Sequence, residues 1–452
     1  MAEPDVAQPP SRAASPGAAV ALVLGYAAII ILPLIVAGVV GGRVDEPFAR
    51  TLGKSFALVG TAILAMQMVL ITRWRALTAP FGLEMVMRFH KSMAVLAVAM
   101  LVMHPVLLAL ASGGWGLITG LKQPWFIWFG KIALLLLLIQ GVTSLWQRRI
   151  VQFQRWRIIH NVAPIILVLG FTHSWIVGDD LELTPMRVLW IALLGTALVA
   201  YGLHKFVGPA WRRARAWTVK SVRQETHDTW TVDFEPPRAQ PTPSFAPGQF
   251  HFVTLYRGGD RYDGEEHHFT ISSSPAVGPE RSSTIKHSGD FTATIGATRP
   301  GDRAVIQGPY GRFSYTLCAP DQRYLFIAGG IGITPLMGML RHMRDLGLPI
   351  EVLLLYGNRT EDDIVFRAEL DQIAAGEAPR LEIVHVLSEP TEGWTGETGY
   401  VDRDLLARSI GGDLSGRSVF LCGPDPMMNA LIPVLIDMNV PETRLYTERF
   451  WL

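Results

Sequence analysis

Four histidines occupy two strongly apolar stretches at matched spacing: His90 and His104 within Arg88 to Ser112, and His160 and His173 within Arg157 to Gly178. The first pair is 14 positions apart (104 − 90) and the second is 13 apart (173 − 160). At about 1.5 Å per helical residue, each pair places one imidazole near each face of a hydrocarbon core about 30 Å thick. A lone histidine there usually bridges helices, but four at matched depths favour metal ligation. Such helices can hold two haems, each iron taking one histidine from each helix.

The two spacings differ in helical phase. Fourteen residues return a helix to within about 40° of the same face, whereas thirteen leave a mismatch of about 140°. The second stretch therefore needs a bend or local rewinding. Pro164, four residues after His160, supplies a cause for one.

Residues 18–210 are membrane-like, although the mean hydropathy of the whole chain is only +0.27. Six spans are predicted by length and apolarity, approximately Ala18–Val40, Thr51–Thr72, Phe89–Ala111, Trp125–Trp146, Ile158–Val177 and Met186–Val207. Residues 1–17 are rich in Pro, Ala and Ser and are expected to be disordered. They lack the basic segment of a cleaved signal, so the first span is expected to be retained.

Positive charge is concentrated after the second, fourth and sixth spans. These cations are Arg73, Arg75, Arg88, Arg148, Arg149, Arg155, Arg157, Lys205, Arg212, Arg213 and Arg215, whereas Asp45, Glu46, Asp179, Asp180 and Glu182 lie on the other side. By the positive-inside rule, the N-terminus and the second half of the chain are both predicted to be cytoplasmic. The spans are predicted to lie in the cell (inner) membrane. His90 and His160 then form the inner pair, and His104 and His173 form the outer pair.

Charge and cysteine content exclude several classes of function. A net charge of +1 gives no reason to predict a nucleic-acid partner. The two cysteines, Cys318 and Cys422, are far apart in sequence. Two cysteines exclude a four-cysteine iron–sulfur site within this chain and any disulfide framework.

Short strands and turns follow the last span. The predicted strands are Trp217–Arg223, Thr229–Phe234, Gln249–Tyr256, His268–Ser272, Thr284–His287, Phe291–Ile295 and Ala304–Gln307. Pro-Gly and Gly-Asp pairs separate them, which is typical of a small antiparallel barrel.

From Arg323 onward, apolar strands alternate with helical stretches. The predicted strands are Tyr324–Ala328, Glu351–Tyr356, Leu381–Leu387 and Ser418–Leu421, with helices such as Pro335–Leu346 and Ile364–Ile373. This alternation is typical of a doubly wound nucleotide-binding domain. Its first turn, Ala328 to Pro335, has glycines at positions 329, 330 and 332, which let a pyrophosphate approach backbone N–H groups at a helix N-terminus.

The second strand of this domain ends in Tyr356-Gly357-Asn358-Arg359-Thr360. An arginine where the adenosine ribose should lie favours a 2′-phosphate, whereas an acidic residue would favour the free hydroxyl. Asp362 and Asp363 follow closely, so NADPH is predicted with NADH as the alternative.

Three motifs in the soluble half accompany the four spaced histidines. They are His267-His268-Phe269-Thr270-Ile271-Ser272-Ser273, similar to a His-Pro-Phe-Thr-Ile flavin motif, then Gly329 to Pro335, and finally Leu421-Cys422-Gly423-Pro424 with Glu448-Arg449-Phe450. The combination resembles the ferric reductase and NADPH oxidase superfamily over nearly the whole chain after about residue 18. The sequence departs from the family at His268, which replaces the usual proline, and at Trp451 and Leu452, which extend past the terminal aromatic.

The resemblance implies a role for each motif. The four histidines would bind two b-type haems. FAD would be held by His267, Phe269, Thr270, Ile271 and Ser272 and by a pyrophosphate segment containing Lys286, Gly289 and Thr292. The nucleotide would lie on Gly329, Gly330, Gly332, Thr334, Pro335, Arg359, Cys422, Gly423 and Pro424. Thr334 and Cys422 would flank the nicotinamide, and Phe450 would cover the flavin until the nicotinamide displaces it.

The predicted fold is an α-helical membrane bundle of six transmembrane helices, an antiparallel β-barrel flavin domain, and an α/β doubly wound nucleotide-binding domain. The predicted domains are a disordered segment over 1–17, a haem-binding transmembrane domain over 18–210, an FAD-binding barrel over 216–319 and an NAD(P)H-binding domain over 320–452.

The resemblance implies a NAD(P)H-dependent flavohaem oxidoreductase. Electrons would pass from cytosolic NADPH through FAD and two haems to dioxygen or a ferric chelate outside the membrane, and the sequence leaves both acceptors open. Besides this small-molecule acceptor, the only partner indicated is membrane lipid. An electron relay that donates to a partner protein is an alternative, although no feature indicates such a protein. A membrane-anchored flavoprotein with structural histidines is another.

Overall fold

The computed structural model describes residues 16–41, 46–146, 153–238, 241–410, 414 and 416–450. The chain divides into two compact units, a helical unit that ends at Ala210 and a second unit that begins at Trp211. Five residues used in the sequence predictions, Asp45, Arg148, Arg149, Trp451 and Leu452, lie outside the described residues, as do residues 1–15.

The described part of the first half consists of helices joined by short turns. Its helices are α1 (Pro16–Gly41), α2 (Phe48–Leu70), α3 (Arg75–Thr78), α4 (Leu83–Ser112), α5 (Gly116–Thr119), α6 (Trp125–Leu145), α7 (Phe153–His160), α8 (Ala163–Val177), α9 (Thr184–Gly202) and α10 (Gly208–Ala214). A 3₁₀ turn covers Asp179–Glu182, and a π-helix over Leu203–Val207 joins α9 to α10. Six described segments are long and apolar enough to cross a membrane, which confirms the six predicted spans.

The fifth span is broken at the predicted place. Helix α7 ends at His160, two residues intervene, and α8 begins at Ala163 with Pro164 in its first turn. Proline is tolerated in a first turn because the N–H it lacks has no helical partner there. The break therefore lies between His160 and His173, where the sequence predicts a bend or local rewinding.

Helices α2 and α4 approach closely through glycine. A Cβ added at Gly60 would lie 2.9 Å from Cγ of Leu101, and one at Gly53 would lie 3.1 Å from Cβ of Leu107. Small residues are the usual means by which membrane helices bring their backbones together. This packing places the backbone of α2 beside His104 of α4.

The second unit begins with an antiparallel sheet. Its strands are β1 (Trp217–Thr226), β2 (Thr229–Glu235), β3 (Phe250–Tyr256), β4 (Glu266–Thr270), β5 (Arg281–Lys286) and β6 (Arg303–Tyr310), in the order β4-β3-β6-β1-β2-β5. Alternate side chains such as Val219, Phe234, Val253 and Ile285 form its core. A 3₁₀ turn at Tyr315–Leu317 follows.

One predicted strand is wrong. Residues Phe291–Ile295 do not pair with the sheet, and a 3₁₀ helix occupies Thr292–Ala297. The hydroxyl of Thr292 accepts hydrogen bonds from the backbone N–H groups of Ser288 and Gly289, at 2.8 and 2.9 Å. This local bond favours a helical turn over an extended strand.

The remainder of the second unit is a parallel sheet covered by helices. The strands are β7 (Arg323–Gly329), β8 (Glu351–Asn358), β9 (Arg380–Leu387), β10 (Glu397–Thr398), β11 (Ser418–Cys422) and β12 (Leu445–Glu448), in the order β10-β9-β8-β7-β11-β12. The helices are α11 (Ile333–Asp345), α12 (Arg367–Ala374), α13 (Arg403–Ile410) and α14 (Asp425–Asp437), with 3₁₀ turns at Gly330–Gly332, Glu361–Asp363 and Glu442–Arg444. Successive residues of β7 enter two separate cores, one on each face of the sheet. The strand order reverses at β7, where ligands of such sheets bind.

Candidate cofactor sites

The outer histidines are each held by a backbone carbonyl of a neighbouring helix. Nδ1 of His104 lies 2.9 Å from the carbonyl oxygen of Gly53 on α2, and Nδ1 of His173 lies 3.0 Å from that of Phe126 on α6. A carbonyl only accepts hydrogen bonds, so Nδ1 carries the proton and Nε2 remains basic. Metal-binding histidines are normally oriented in this way.

Gly130 of α6 makes room for the ring of His173. A Cβ at this position would lie 2.9 Å from both Nε2 and Cδ2 of that imidazole and 3.0 Å from Cε1. Any other residue would therefore displace the ring. The outer pair thus depends on a backbone cradle, the surface of α6 at Gly130, where only glycine leaves room for the His173 ring.

The inner histidines face one another across a gap that fits a metal. The ring centroids of His90 and His160 are 6.2 Å apart. An iron between two imidazole nitrogens, with bonds of about 2 Å, separates the centroids by about 6 Å. Nδ1 of His90 is buried and has no hydrogen-bond partner among the described residues. These observations fit a bis-histidine haem at the inner pair.

Two side chains, those of Trp156 and Gln140, contact the ring of His160. Trp156, one turn earlier on α7, stacks on it with centroids 4.8 Å apart. Nε2 of the Gln140 amide on α6 lies 3.2 Å from Nδ1 of His160. Oε1 of the same amide is buried without a hydrogen-bond partner in the described chain. Turning the amide over lets Oε1 accept the Nδ1–H bond and leaves Nε2 of His160 for a metal.

The predicted flavin motif follows β4 and its end. His267 stacks on Phe291, with ring centroids 3.8 Å apart and planes inclined by 17°, and Phe269 lies 6.2 Å from the same ring. The guanidinium of Arg257, 5.5 Å from the Phe291 ring, donates to the carbonyl of Thr294. Sequence reasoning missed Arg257 and placed Phe291 in a strand, because only the tertiary fold brings both beside the motif.

Several predicted flavin contacts already have partners within the protein. The hydroxyl of Ser272 is buried and lies 3.0 Å from that of Thr284, while Thr270 and Ile271 are buried beside it. The ammonium of Lys286 pairs with Asp228 at 3.3 Å and with Asp363 at 3.7 Å. Gly289 borders open space, and the Thr292 hydroxyl binds the local backbone. The backbone N–H of Ser272 also donates to the carbonyl of Ser282 at 2.8 Å, so both the hydroxyl and the N–H of this residue are engaged within the protein.

The glycines of the nucleotide turn pack directly against the Cys422-Gly423-Pro424 turn. A Cβ at Gly329 would lie 2.8 Å from Cδ of Pro424, and one at Gly332 would collide with the carbonyl of Cys422. Gly330 has φ +50°, a left-handed conformation that favours glycine. The structure thus brings the two predicted nucleotide motifs together at the carboxyl ends of β7 and β11, with Pro335 buried in the first turn of α11.

The residues predicted to flank the nicotinamide lie at this junction. The hydroxyl of Thr334 donates to the carbonyl of Ile331 at 3.0 Å, and Cys422 is fully buried. Burial raises the pKa of the Cys422 thiol well above its ordinary range, and the carboxylate of Glu448 adds to that shift. Phe450, 39% exposed, follows Glu448, which is the partner of Cys422 in the β11–β12 pair. Phe450 therefore lies two residues beyond the position that pairs with Cys422, and its side chain is exposed.

Arg359 lies at the carboxyl end of β8, where the sequence predicts the adenosine. Its guanidinium pairs with the carboxylate of Glu389 at 3.2 Å, beyond the end of β9. The backbone N–H of Glu389 also donates to the carbonyl of Arg359. Sequence reasoning missed Glu389, since thirty positions separate it from Arg359.

Family comparisons match both halves of the chain. Residues 56–171 match the family described as ferric reductase like transmembrane component, and residues 326–432 match the oxidoreductase NAD-binding domain. Together the two matches correspond to a ferric reductase/NADPH oxidase-like fusion. The fusion combines six apolar helices long enough to cross a membrane with a flavoprotein-type, NAD-binding reductase module. The first match contains His90, His104 and His160 and ends two residues before His173.

Individual relatives of the fusion match its reductase module. The glycine betaine monooxygenase reductase subunit of Pseudomonas aeruginosa is 32% identical over 51% of this chain and 62% of its own length. Cytochrome b5 reductase 4 of Rattus norvegicus is 32% identical over 36% of this chain and 32% of its own length. The chain thus spans less than two thirds of the length of either curated relative. Among solved structures, the cytochrome b5 reductase domain of Ulva prolifera nitrate reductase is 25% identical, covering 52% of this chain and 96% of that domain with a TM-score of 0.46.

Proposed function

We propose that the fusion transfers electrons from cytosolic NADPH, through FAD and two bis-histidine b-type haems, to dioxygen or a ferric chelate outside the membrane. The observation that carries this proposal is the arrangement of the two histidine pairs. The inner rings are 6.2 Å apart, and both outer rings present a basic Nε2. When bound, NADPH supplies a hydride to FAD, which releases single electrons that the haems carry onward.

The protein's own part is to hold and shield these groups. The glycine turn that ends in Gly332 and the turn at Cys422 would admit the nucleotide pyrophosphate next to backbone N–H groups at the start of α11. Thr334 and the neutral thiol of Cys422 would flank the nicotinamide. Phe450 would cover the flavin and exclude water until the nicotinamide arrives. We propose that residues 18–210 hold the haems, 216–319 the flavin and 320–452 the nucleotide.

Arg359 supports NADPH over NADH, because a guanidinium suits a 2′-phosphate. Glu389 instead favours NADH. Its carboxylate already pairs with the Arg359 guanidinium, and it can accept a hydrogen bond from a free ribose hydroxyl. Fungal relatives named NADH-cytochrome b5 reductase 1 also support use of NADH. We therefore propose NADPH as the preferred donor with NADH as a second substrate.

The orientation proposed is that of the positive-inside rule, with the N-terminus and the reductase module in the cytoplasm. A second candidate function is an electron relay to a partner protein. It is favoured by the similarity to a glycine betaine monooxygenase reductase subunit. Turnover of the purified chain with small acceptors alone would separate the two functions.

The deciding experiment is an absorption spectrum of the purified full chain. We expect the bands of low-spin haem at about two haems per chain. Under argon, NADPH should reduce flavin and haem, and admission of oxygen or ferric citrate should reoxidise them. Absence of haem would leave a membrane-anchored flavoprotein. Haem that is reduced but reoxidised by neither small acceptor would support the relay.

A further inference from the structure

Arg341 of α11 makes contacts that reach beyond its own domain. It is only 9% exposed, yet its guanidinium donates to the backbone carbonyl of Ser272, 69 positions earlier, at 2.7 Å. Its remaining donors bind the carboxylate of Glu369 on α12, at 2.9 and 2.6 Å. The ring of Phe366 covers the guanidinium at 4.7 Å. One buried cation thus joins the flavin motif to two helices of the nucleotide domain.

Glu369 remains ionised opposite this cation. Burial alone would raise the pKa of its carboxyl, but Arg341 and Arg344 more than offset that effect and hold the pKa below its ordinary value. A charge-assisted pair of this kind is short and directional. The guanidinium of Arg341 is therefore fixed in orientation, which makes its bond to Ser272 a defined geometric constraint.

A second residue of α11, Gly338, also packs against the backbone of the flavin motif. A Cβ added at Gly338 would lie 3.0 Å from the carbonyl oxygen of Ile271 and 3.6 Å from that of Ser273. Residues 334, 338 and 341 are spaced so that they share one face of the helix. The face that carries Thr334 toward the nicotinamide site thus also rests on the backbone of the flavin motif.

We propose that Arg341 is a positioning residue that sets the register of α11 against residues 271–273, and so the distance between the nicotinamide-binding turn and the flavin. The inference rests on the proposed hydride donation from nucleotide to flavin. Helix α11 acts as a rigid spacer, since residues 334 and 341 are about 10 Å apart along its axis. A misplacement of about 1 Å in reacting groups costs on the order of 100-fold in rate.

Arg344 offers a matched control. It donates to the same Glu369 at 3.0 Å and to Asp345 at 2.9 Å, but it has no bond to the flavin motif. Replacing it removes a cation from Glu369 without releasing Ser272. The side chain of Arg344 is more exposed than that of Arg341, at 41% against 10%, so the comparison tests loss of a cation from the Glu369 cluster with the Ser272 bond intact.

The test compares Arg341→Met, Arg341→Lys and Arg344→Met in the full chain. For Arg341→Met we expect flavin reduction at saturating NADPH to slow roughly 10- to 100-fold. FAD content and the Kd for NADP⁺ should stay within twofold, and long-wavelength absorbance from flavin–nicotinamide contact should weaken. Arg344→Met should match the wild type, and Arg341→Lys should recover part of the rate. Equal losses in both methionine variants, or an unchanged rate in Arg341→Met, would overturn the proposal.

Gly338→Ala provides an independent arm if Arg341→Met does not fold. The added methyl group should shift α11 by a few tenths of an ångström from Ile271 and lower the same rate and absorbance, with FAD retained. An unchanged rate and absorbance in this variant would also overturn the proposal. Failure of wild-type flavin to accept reducing equivalents from either nucleotide would instead refute the proposed function, before any variant is compared.

Discussion

The outer and inner histidine pairs are oriented by different kinds of partner. Each outer ring donates to a backbone carbonyl of a neighbouring helix, Gly53 for His104 and Phe126 for His173. At the inner pair, His160 lies against the side-chain amide of Gln140, and Nδ1 of His90 has no partner in the described residues. The outer rings are therefore fixed by helix packing, whereas His160 of the inner pair is contacted by the side chains of Gln140 and Trp156.

This difference decides what substitution can change. A carbonyl cannot be removed by mutation, so the outer rings can be disturbed only through the packing that presents it. The inner pair can be tuned one side chain at a time, because partners of metal ligands alter affinity and electronic properties. The inner pair is thus the one at which haem properties should vary most readily.

The largest expected effect comes from removing a ligand. His104→Ala should lower the haem content from about two per chain to about one, because the outer iron loses one of its two histidines. A pyridine haemochrome assay with redox titration measures this. His204→Ala is the control, since His204 in the π-helix belongs to neither histidine pair and both haems should remain. Retention of two haems in His104→Ala would contradict the pairing.

A smaller but still large effect is expected from Gly130→Ala. The new methyl group would lie 2.9 Å from the ring of His173, so most of the outer haem should be lost while the inner haem stays. Gly141→Ala on the same helix is the matched control, because its Cβ would meet only Cγ2 of Val98 at 3.8 Å. Equal haem contents in the two variants would show that the cradle is unimportant.

Gln140→Leu should affect the inner pair alone. Loss of the amide beside His160 should weaken retention of the inner haem by roughly 10- to 100-fold and shift its potential. Stepwise haem loss during dilution, followed by absorbance, measures retention, and the outer haem of the same sample is the internal control. A change confined to the outer haem would reverse the assignment of the pairs.

The smallest effect is expected in the reductase module, which offers the same contrast between backbone and side chain. There the glycine turns would bind the nucleotide through backbone groups, whereas Arg359 would bind it through a side chain. Arg359→Ala should raise the KM for NADPH by roughly tenfold, the worth of one charge-assisted bond, and leave that for NADH little changed. Steady-state kinetics with both nucleotides measures this, and Arg380→Ala, an exposed arginine at the opposite end of β9, is the control. Equal effects on both nucleotides would show that Arg359 does not recognise the phosphate.

Features set by local pattern were predictable from the sequence. Hydropathy gave the six spans, and Pro164 gave the helix break after His160. The alternation Phe-Thr-Ala-Thr-Ile around Phe291 mimicked a strand, because the competing hydroxyl bond of Thr292 is not visible in a polarity pattern.

Partners distant in sequence could not be predicted. Gln140 beside His160, Glu389 beside Arg359 and Arg341 beside Ser272 are separated by 20, 30 and 69 positions. Only the packing of helices and strands brings them together. The sequence motifs therefore supply the proposed cofactor ligands, while the residues that contact those ligands emerge only from the fold.

The spacing of the histidines along α4 has an electrical consequence. His90 and His104 are separated by about 21 Å along the helix axis, roughly two thirds of a hydrocarbon core about 30 Å thick. In the proposed orientation, an electron moving outward between the pairs crosses a similar fraction of the membrane voltage. At 100 mV, negative inside, that step gains about 1.6 kcal/mol. Turnover is then electrogenic, so it would depolarise the membrane and slow unless other ions return the charge.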